Sequence, residues 1–289
     1  MKPELIALVI LAAALHAGWN LLSKRAAAAG ASFVLAYRLF SAAFYAPWVI
    51  YVLWIEGMAW SPKVAAFIVL SCVLHLGYSL CLSRGYQRAD LSVIYPIARG
   101  TGPLLSSLAA FAILGETATL SRVAGIVTVV CGILLIATQA NLRQFSSPQA
   151  WVGVRWGLLT GLFIACYSVT DAYTVQTLMV VPVVLDWFSS AGAAALMAPR
   201  AIYRPRRFLD AMKGYWRLAM FVGLLSPMAY ILVLYALQQG ASVSLVAPLR
   251  ETSMMLATVA GFIILKEKVS AARWMGCVLI VAGAIFLTR

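Results

Sequence analysis

Long apolar runs separated by short polar connections organise the chain from end to end. Crossing the hydrocarbon core of a bilayer takes roughly 20 mostly apolar residues. That window predicts an all-α integral membrane protein with ten transmembrane helices, at 5–22, 33–55, 64–83, 92–114, 121–138, 156–176, 180–198, 217–237, 243–265 and 271–288. Continuous runs of this kind exclude a transmembrane β-barrel, whose strands alternate apolar and polar positions. The first run reads as a span and not a cleaved signal: only Lys2 precedes it as a basic residue, and the apolar stretch continues through Trp19 to Leu22 without a small-residue cleavage site. Connections are short except from Asn141 to Val154 and from Arg200 to Arg217. Neither is long enough for an extramembrane domain, so function is expected within the bundle.

Composition agrees. Of 289 residues, 63% are hydrophobic and 11% charged, whereas a soluble domain carries roughly 25% charged residues to cover its wet surface. Soluble enzyme folds are therefore excluded. The excess of 22 Lys and Arg over 9 Asp and Glu, a net charge of +13, would suggest nucleic acid in a soluble protein. Here it is expected to record topology, with no nucleic-acid partner. The five cysteines all lie inside apolar runs with no CxxC spacing, so they read as packing residues. No metal site, disulfide framework or cofactor is implied.

The chain repeats itself. Residues 78–137 read against 230–288: Tyr78 on Tyr230, Gln87 on Gln239, Ser92 on Ser244 and Pro96 on Pro248. Past a one-residue gap, Arg99 falls on Arg250, Glu116 on Glu267, Arg122 on Arg273, Gly125 on Gly276 and Gly132 on Gly283. The start of each half matches more weakly, Trp19 on Tyr167 and Ser23 on Asp171. The expected units are residues 1–140 and 151–289, each of five spans. An odd number of spans makes consecutive copies cross in opposite directions, as in the inverted repeats of secondary transporters. The charges agree: Lys24 and Arg25 join spans 1 and 2 while the matching connection has neither Lys nor Arg, and Lys63 alone matches the basic stretch from Arg200 to Arg217. Alternate connections hold 15 Lys and Arg, and the other side, with both termini, holds Lys2, Lys63, Arg122 and Arg289. The positive-inside rule then places both termini outside.

A charge near the bilayer centre costs at least ~2.5–3.5 kcal/mol on insertion scales, so it needs a partner or a water-filled cavity. Arg99, Asp171, Arg250 and Glu251 stand out on this ground. At three- and four-residue steps, Ser92, Tyr95, Arg99, Gly102 and Ser106 share one face of span 4, and Ser244, Ala247, Glu251, Met254 and Thr258 share one of span 9. His16, Trp19, Asn20 and Ser23 in span 1, His75 and Tyr78 in span 3, Tyr167 in span 6 and Tyr230 in span 8 complete a polar, aromatic interior around a central cavity. Pro96, Pro103 and Pro248 interrupt spans 4 and 9 beside the charges, and such breaks are tolerated where they line a cavity. Each feature has a plainer reading. Arg99 with Glu251, or Arg250 with Asp171, would serve as structural ion pairs, and the two histidines as neutral packing residues. Glu116 and Glu267 read as anchors at span ends, Trp48, Trp54, Trp60, Trp151 and Trp156 as an interfacial belt, and Arg204, Arg206 and Arg207 as contacts to anionic lipid.

The segment YPIARGTGP at 95–103 with its counterpart APLRETS at 247–253, the endings ILGETATLSRVAG and ILKEKVSAARWMG, and HAGWN at 16–20 resemble the EamA-type branch of the drug/metabolite transporter superfamily over the full chain. The resemblance implies a secondary transporter of small metabolites in a bacterial inner membrane, often an exporter, and includes exporters of the YddG type that move amino acids. It also implies a cavity formed by spans 1, 3, 4, 6, 8 and 9. Several bacterial relatives have cytoplasmic termini, the opposite of the charge reading here. On this footing the leading expectation is export of amino acids or similar zwitterionic metabolites by alternating access, with a monomer sufficient and membrane lipid as its surroundings. Arg99 or Arg250 would hold the carboxylate, and Glu251, with Asp171, would face the ammonium. Trp19, Tyr78, Tyr95, Tyr167 and Tyr230 would take an apolar side chain, with His75, Asn20 and Ser244 completing the lining and Pro96 and Pro248 as bending points. The alternatives are a phosphorylated-metabolite exchanger, a cationic-drug exporter and a membrane-embedded enzyme. The last is disfavoured because no HExxH, paired-Asp or Ser/His/Asp arrangement is present.

Overall fold

The computed structural model describes residues 2–89, 91–145, 147–264, 266 and 269–288. The expected anchor Glu267 and the terminal Arg289 lie outside the described residues, as does the side chain of Ser92. Among the described residues the chain is helical and contains no strand. In order it forms α1 (Pro3–Arg25), α2 (Gly30–Tyr51), α3 (Pro62–Arg88), α4 (Leu91–Ile113), α5 (Leu120–Thr138), α6 (Pro148–Gln176), α7 (Pro182–Tyr203), α8 (Pro205–Met212), α9 (Trp216–Gln238), α10 (Val243–Arg250), α11 (Thr252–Ile264) and α12 (Ala271–Thr288).

Local chemistry sets several starts. The Ser61 hydroxyl accepts from Val64 N at 3.1 Å with Pro62 in the first turn of α3, and Ser147 and Pro148 do the same for α6 through Ala150 N at 3.1 Å. A hydroxyl cap meets a backbone donor that the helix leaves unpaired, and proline lacks the donor that would have needed one. Stretches within α1, α2, α3, α5, α6, α9 and α12 are long and apolar enough to cross a membrane. Their outward faces carry exposed aliphatic residues such as Leu11, Val69, Val127 and Val278, as expected where the surroundings are hydrocarbon.

Two features depart from the sequence reading. The basic stretch after α7 is not simply a connection: α8 folds within it, its Met212 fully buried and Phe208 meeting Trp216 edge to face with centroids 5.9 Å apart. The predicted ninth span is two helices, because the chain turns at Glu251 between α10 and α11. The helix count therefore exceeds ten. Pro248 lies inside α10, three residues before that turn. Pro96 and Pro103, expected to interrupt span 4, instead lie inside the continuous α4.

Neighbouring helices come in matched pairs. When α1 to α5 are set against α6, α7, α9, the α10–α11 pair and α12, the packing of α3 on α6 corresponds to that of α9 on α1. In the same way α4 on α6 corresponds to α11 on α1, and α3 on α7 to α9 on α2. The pairs α2 with α7, α4 with α10 and α5 with α12 map onto themselves. The last of these is held by glycine. A Cβ on Gly132 would stand 2.8 Å from the Gly276 carbonyl oxygen, and one on Gly283 would stand 2.9 Å from that of Gly125. Close backbone approach of this kind drives helix association where no hydrophobic effect operates.

Glu116, in the loop after α4, does more than anchor a span end. Its carboxylate accepts from Val243 N at 2.5 Å, from Ser244 N at 3.0 Å and from the Ser244 hydroxyl. An anion at a helix N-terminus satisfies unpaired donors and meets the positive end of the dipole, so a loop of the first half fixes the start of α10 in the second. Gly132→Leu is expected to lower stability by about 1–3 kcal/mol through overpacking against backbone, read as a depressed Tm in detergent. An unchanged Tm would show that α5 and α12 are free to separate.

Candidate functional site

The turn at Glu251 decides the site. On an unbroken helix, neighbouring residues point about 100° apart. Here Arg250 closes α10, Glu251 occupies the turn, and both are buried, at 6% and 1% exposure. Arg99, from the middle of α4 and also buried, reaches Glu251 with Nη1 at 3.2 Å from Oε1 and 3.3 Å from Oε2. On the other side Arg250 Nε lies 3.8 Å from Glu251 Oε1. The expected Arg99–Glu251 pair is therefore present, joining α4 to the α10–α11 turn. Two arginines flank one carboxylate, so the group carries a net positive charge.

Arg99 also donates from Nη2 to His16 Nε2 at 2.8 Å. Because a guanidinium is a donor only, His16 Nε2 must be an acceptor there, and the ring is neutral. The Arg99 guanidinium lies 5.4 Å from the centroid of Tyr95, and His16 meets Trp19 edge to face at 4.9 Å. Asn20 turns its amide to the His16 carbonyl at 2.8 Å, one turn back on α1. Trp19 Nε1 and the Ser23 hydroxyl are buried without a hydrogen-bond partner.

A second group faces the first. Asp171, fully buried on α6, has its Oδ2 at 2.9 Å from His75 Nε2 and accepts from the Tyr230 hydroxyl at 2.6 Å. Its other oxygen, Oδ1, is buried and has no hydrogen-bond partner among the described residues. The alternative pairing of Asp171 with Arg250 is not what forms: His75 takes that position. The His75 ring stacks on Tyr167 at 4.2 Å, and Tyr78 and Tyr230 each meet Tyr167 edge to face at 5.8 Å and 6.0 Å. Arg250 closes the gap between the groups. It lies within electrostatic reach of Tyr167 and Tyr230, its Nε has no hydrogen-bond partner, and it lines a narrow cavity with Ser168, Tyr230, Val246 and Ala247.

Of the residues expected at the site, Trp19, His75, Tyr78, Tyr95, Arg99, Tyr167, Asp171, Tyr230, Arg250 and Glu251 fall in these two adjoining groups. Ser244 does not: its hydroxyl is held by Glu116 at the start of α10. Two charged residues were missed. Arg38, 7% exposed on α2, donates to the Ser79 hydroxyl at 2.9 Å, and Asp186 on α7 lies within electrostatic reach of Arg38, His75 and Asp171. A signal was available. The step of 148 residues that carries Trp19 onto Tyr167 and Ser23 onto Asp171 also carries Arg38 onto Asp186.

Apolar helices with lipid-like outer faces, packed in corresponding pairs around a charged and aromatic interior, define a multi-pass membrane protein. The family is specific: the profile of the EamA-like transporter family matches residues 4–138 and again 151–289, and the chain belongs to that family. It is a membrane transporter of the drug/metabolite transporter superfamily, which implies a small-molecule substrate and a transport role rather than an enzymatic one. A solved structure described only as "Crystal structure of protein" has the same fold, with a TM-score of 0.77 at 20% identity over 100% of this chain and 97% of that one.

Removing one member of a buried pair strands the other, at a cost of ~3–5 kcal/mol, while replacing both with apolar residues is close to neutral. Glu251→Met, which takes the carboxylate from both Arg99 and Arg250, is therefore expected to lower Tm sharply, and the Arg99→Met/Glu251→Met double variant to recover part of the loss, Arg250 remaining unmet. Additive destabilisation in this double-mutant cycle would mean that the two side chains are not coupled.

Proposed function

We propose that this protein is a secondary transporter that exports amino acids or similar zwitterionic metabolites across a bacterial inner membrane by alternating access. One observation carries the reading. The interior holds a positive group, Arg99 and Arg250 against Glu251, beside a carboxylate, Asp171, and each side offers a buried atom with no hydrogen-bond partner among the described residues: Nε of Arg250, 3.8 Å from Glu251, and Oδ1 of Asp171. A solute with a carboxylate at one end and an ammonium at the other meets both needs at once. Charge-assisted hydrogen bonds of this type are shorter and roughly twice as strong as neutral ones.

Arg250 holds the carboxylate in this reading, since Arg99 is engaged by Glu251 and His16. The ammonium goes to Asp171 and not to Glu251, which is flanked by both arginines. Tyr78, Tyr167, Tyr230 and Trp19 supply flat apolar walls for a side chain, with cation–π attraction available to the ammonium. A phosphorylated substrate is disfavoured, because a dianion needs more converging cations than two arginines already sharing a carboxylate. A lone organic cation leaves Arg250 unmet.

The architecture fits alternating access by two inverted five-helix repeats, residues 1–140 and 151–289, whose ten membrane crossings include α4, α7 and the broken α10–α11 pair. α4 and α7 carry prolines and charged residues within their length, and α10 and α11 are each too short to span alone. In transporters of this build the solute sits at the repeat interface while one unit rocks against the other. The glycine contact between α5 and α12 is the fixed edge, and the Pro248 turn is the bending point. The charge bias supports an outside position for both termini, and one chain supplies every residue this reading uses.

Purified protein in liposomes loaded with each of the twenty radiolabelled amino acids tests the substrate class. Counterflow of at least one is expected, with Arg250→Gln and Asp171→Asn each reducing it more than tenfold while remaining folded by circular dichroism. Absence of flux for all twenty would remove the proposal.

A further inference from the structure

Arg38 and Asp186 add a polar pair beside the Asp171 group. Arg38, 7% exposed on α2, donates from Nη2 to the Ser79 hydroxyl at 2.9 Å, and its Nε is buried with no hydrogen-bond partner among the described residues. Asp186 on α7 lies within electrostatic reach of Arg38, His75 and Asp171, yet it takes part in no hydrogen bond or ion pair among the described residues. Next to it, Trp187 donates from Nε1 to the Ala42 carbonyl at 2.8 Å, which ties α7 to α2 within one turn of both residues. Asp186 is only part-buried and the His75 side chain is 15% exposed, although both face other interior groups, so open space adjoins them.

An arginine and a carboxylate that attract without touching leave a gap with an N–H donor on one side and oxygen acceptors on the other. Buried polar groups left in that state are costly. The charge count limits what can fill the gap. The formal charges of Arg38, Arg99 and Arg250 cancel those of Asp171, Asp186 and Glu251, so a solute of zero net charge keeps the interior balanced, whereas a charged side chain strands one charge there. The complement is therefore neutral and presents its acceptor and its donor on different atoms. A carboxamide does so: the oxygen accepts from Arg38 Nε and the NH2 donates to Asp186. A hydroxyl carries both functions on one atom, and an aliphatic chain carries neither. Two hydrogen bonds with an amide between them join groups that stand too far apart to touch directly.

Resting on the amino-acid reading above, we propose that Arg38 and Asp186 form a side-chain subsite for a carboxamide, so that the transported solute is an amino acid of the glutamine and asparagine type. Its carboxylate goes to Arg250 and its ammonium to Asp171, and its side chain runs past His75 toward α2 and α7. The His75 ring, stacked on Tyr167 at 4.2 Å, gives the aliphatic part of that side chain a flat wall. Arg38 and Asp186 then set which amino acid is accepted, while Arg250 and Asp171 recognise the part common to all of them.

Counterflow in liposomes with glutamine, methionine and glutamate tests the subsite, because the three side chains are close in length and differ in what they offer to Arg38 and Asp186. Glutamine is expected to be preferred by about tenfold or more over each of the others, since a site built to hydrogen-bond its solute rejects analogues that leave its polar groups unmet. Arg38→Gln/Asp186→Asn removes both charges together and is expected to erase that preference. Asp186→Asn alone, which keeps the shape of the side chain, is expected to weaken it, and thermal shifts with the same three compounds are expected to follow the same order. Methionine or glutamate moving as well as glutamine would overturn the subsite and leave the transport reading intact. A glutamine preference that survives in variants folded by circular dichroism would overturn the assignment to Arg38 and Asp186. Absence of flux for all twenty amino acids would remove the transport reading and the subsite together.

Discussion

An ion inside a bilayer has no water to satisfy it, and the interior of this protein is organised around that constraint. Arg38, Arg99 and Arg250 are buried with Asp171 and Glu251 in the bundle, and Asp186 lies beside them. Each costs several kcal/mol unless a partner meets it. One of the resulting contacts, Arg99 with Glu251 at 3.2 Å, joins the first half of the chain to the second. At the turn between α10 and α11 the adjacent residues Arg250 and Glu251 are both buried.

The rest of the architecture holds that charged interior in place while leaving it able to respond. Close contact of Gly125 and Gly132 with Gly283 and Gly276 fixes α5 against α12, far along the chain from the His75–Asp171–Tyr230 group. Glu116 ties the loop after α4 to the first turn of α10. Between these ties the partners of Arg250 and Asp171 are incomplete, and an interior in which most polar atoms are paired and a few are not is the arrangement a ligand can complete.

Much of this was legible in the sequence. Period and length gave the helices, because apolar runs of this length have no other use in a chain with so few charges. Internal matching gave the pairing of Arg99 with Arg250 positions, and intramembrane charge gave Asp171 and Glu251. The division of the ninth span was less legible: Pro248 marks a weak point, but Pro96 occupies the matching place in α4 without ending it, so proline alone does not decide where a helix stops. Ser244 was assigned to the interior by its face on a continuous helix, and a partner from a distant loop, Glu116, claimed it instead. Such a contact is set by tertiary packing and leaves no local pattern. Arg38 and Asp186 were legible in principle, being related by the same 148-residue step as Ser23 and Asp171, but their opposite signs hide the match from a comparison that looks for like residues.

The central claim is that two oppositely charged subsites recognise the two ends of one solute. It is tested most directly by thermal shift or competition in liposomes with three compounds sharing one side chain: the amino acid, its methyl ester and its deaminated acid. Recognition through both Arg250 and Asp171 requires that only the intact amino acid binds strongly, with each analogue weaker by at least tenfold, since either one leaves a buried charged group unmet. Equal binding of the ester or of the deaminated acid would contradict it, because a single subsite would then account for recognition.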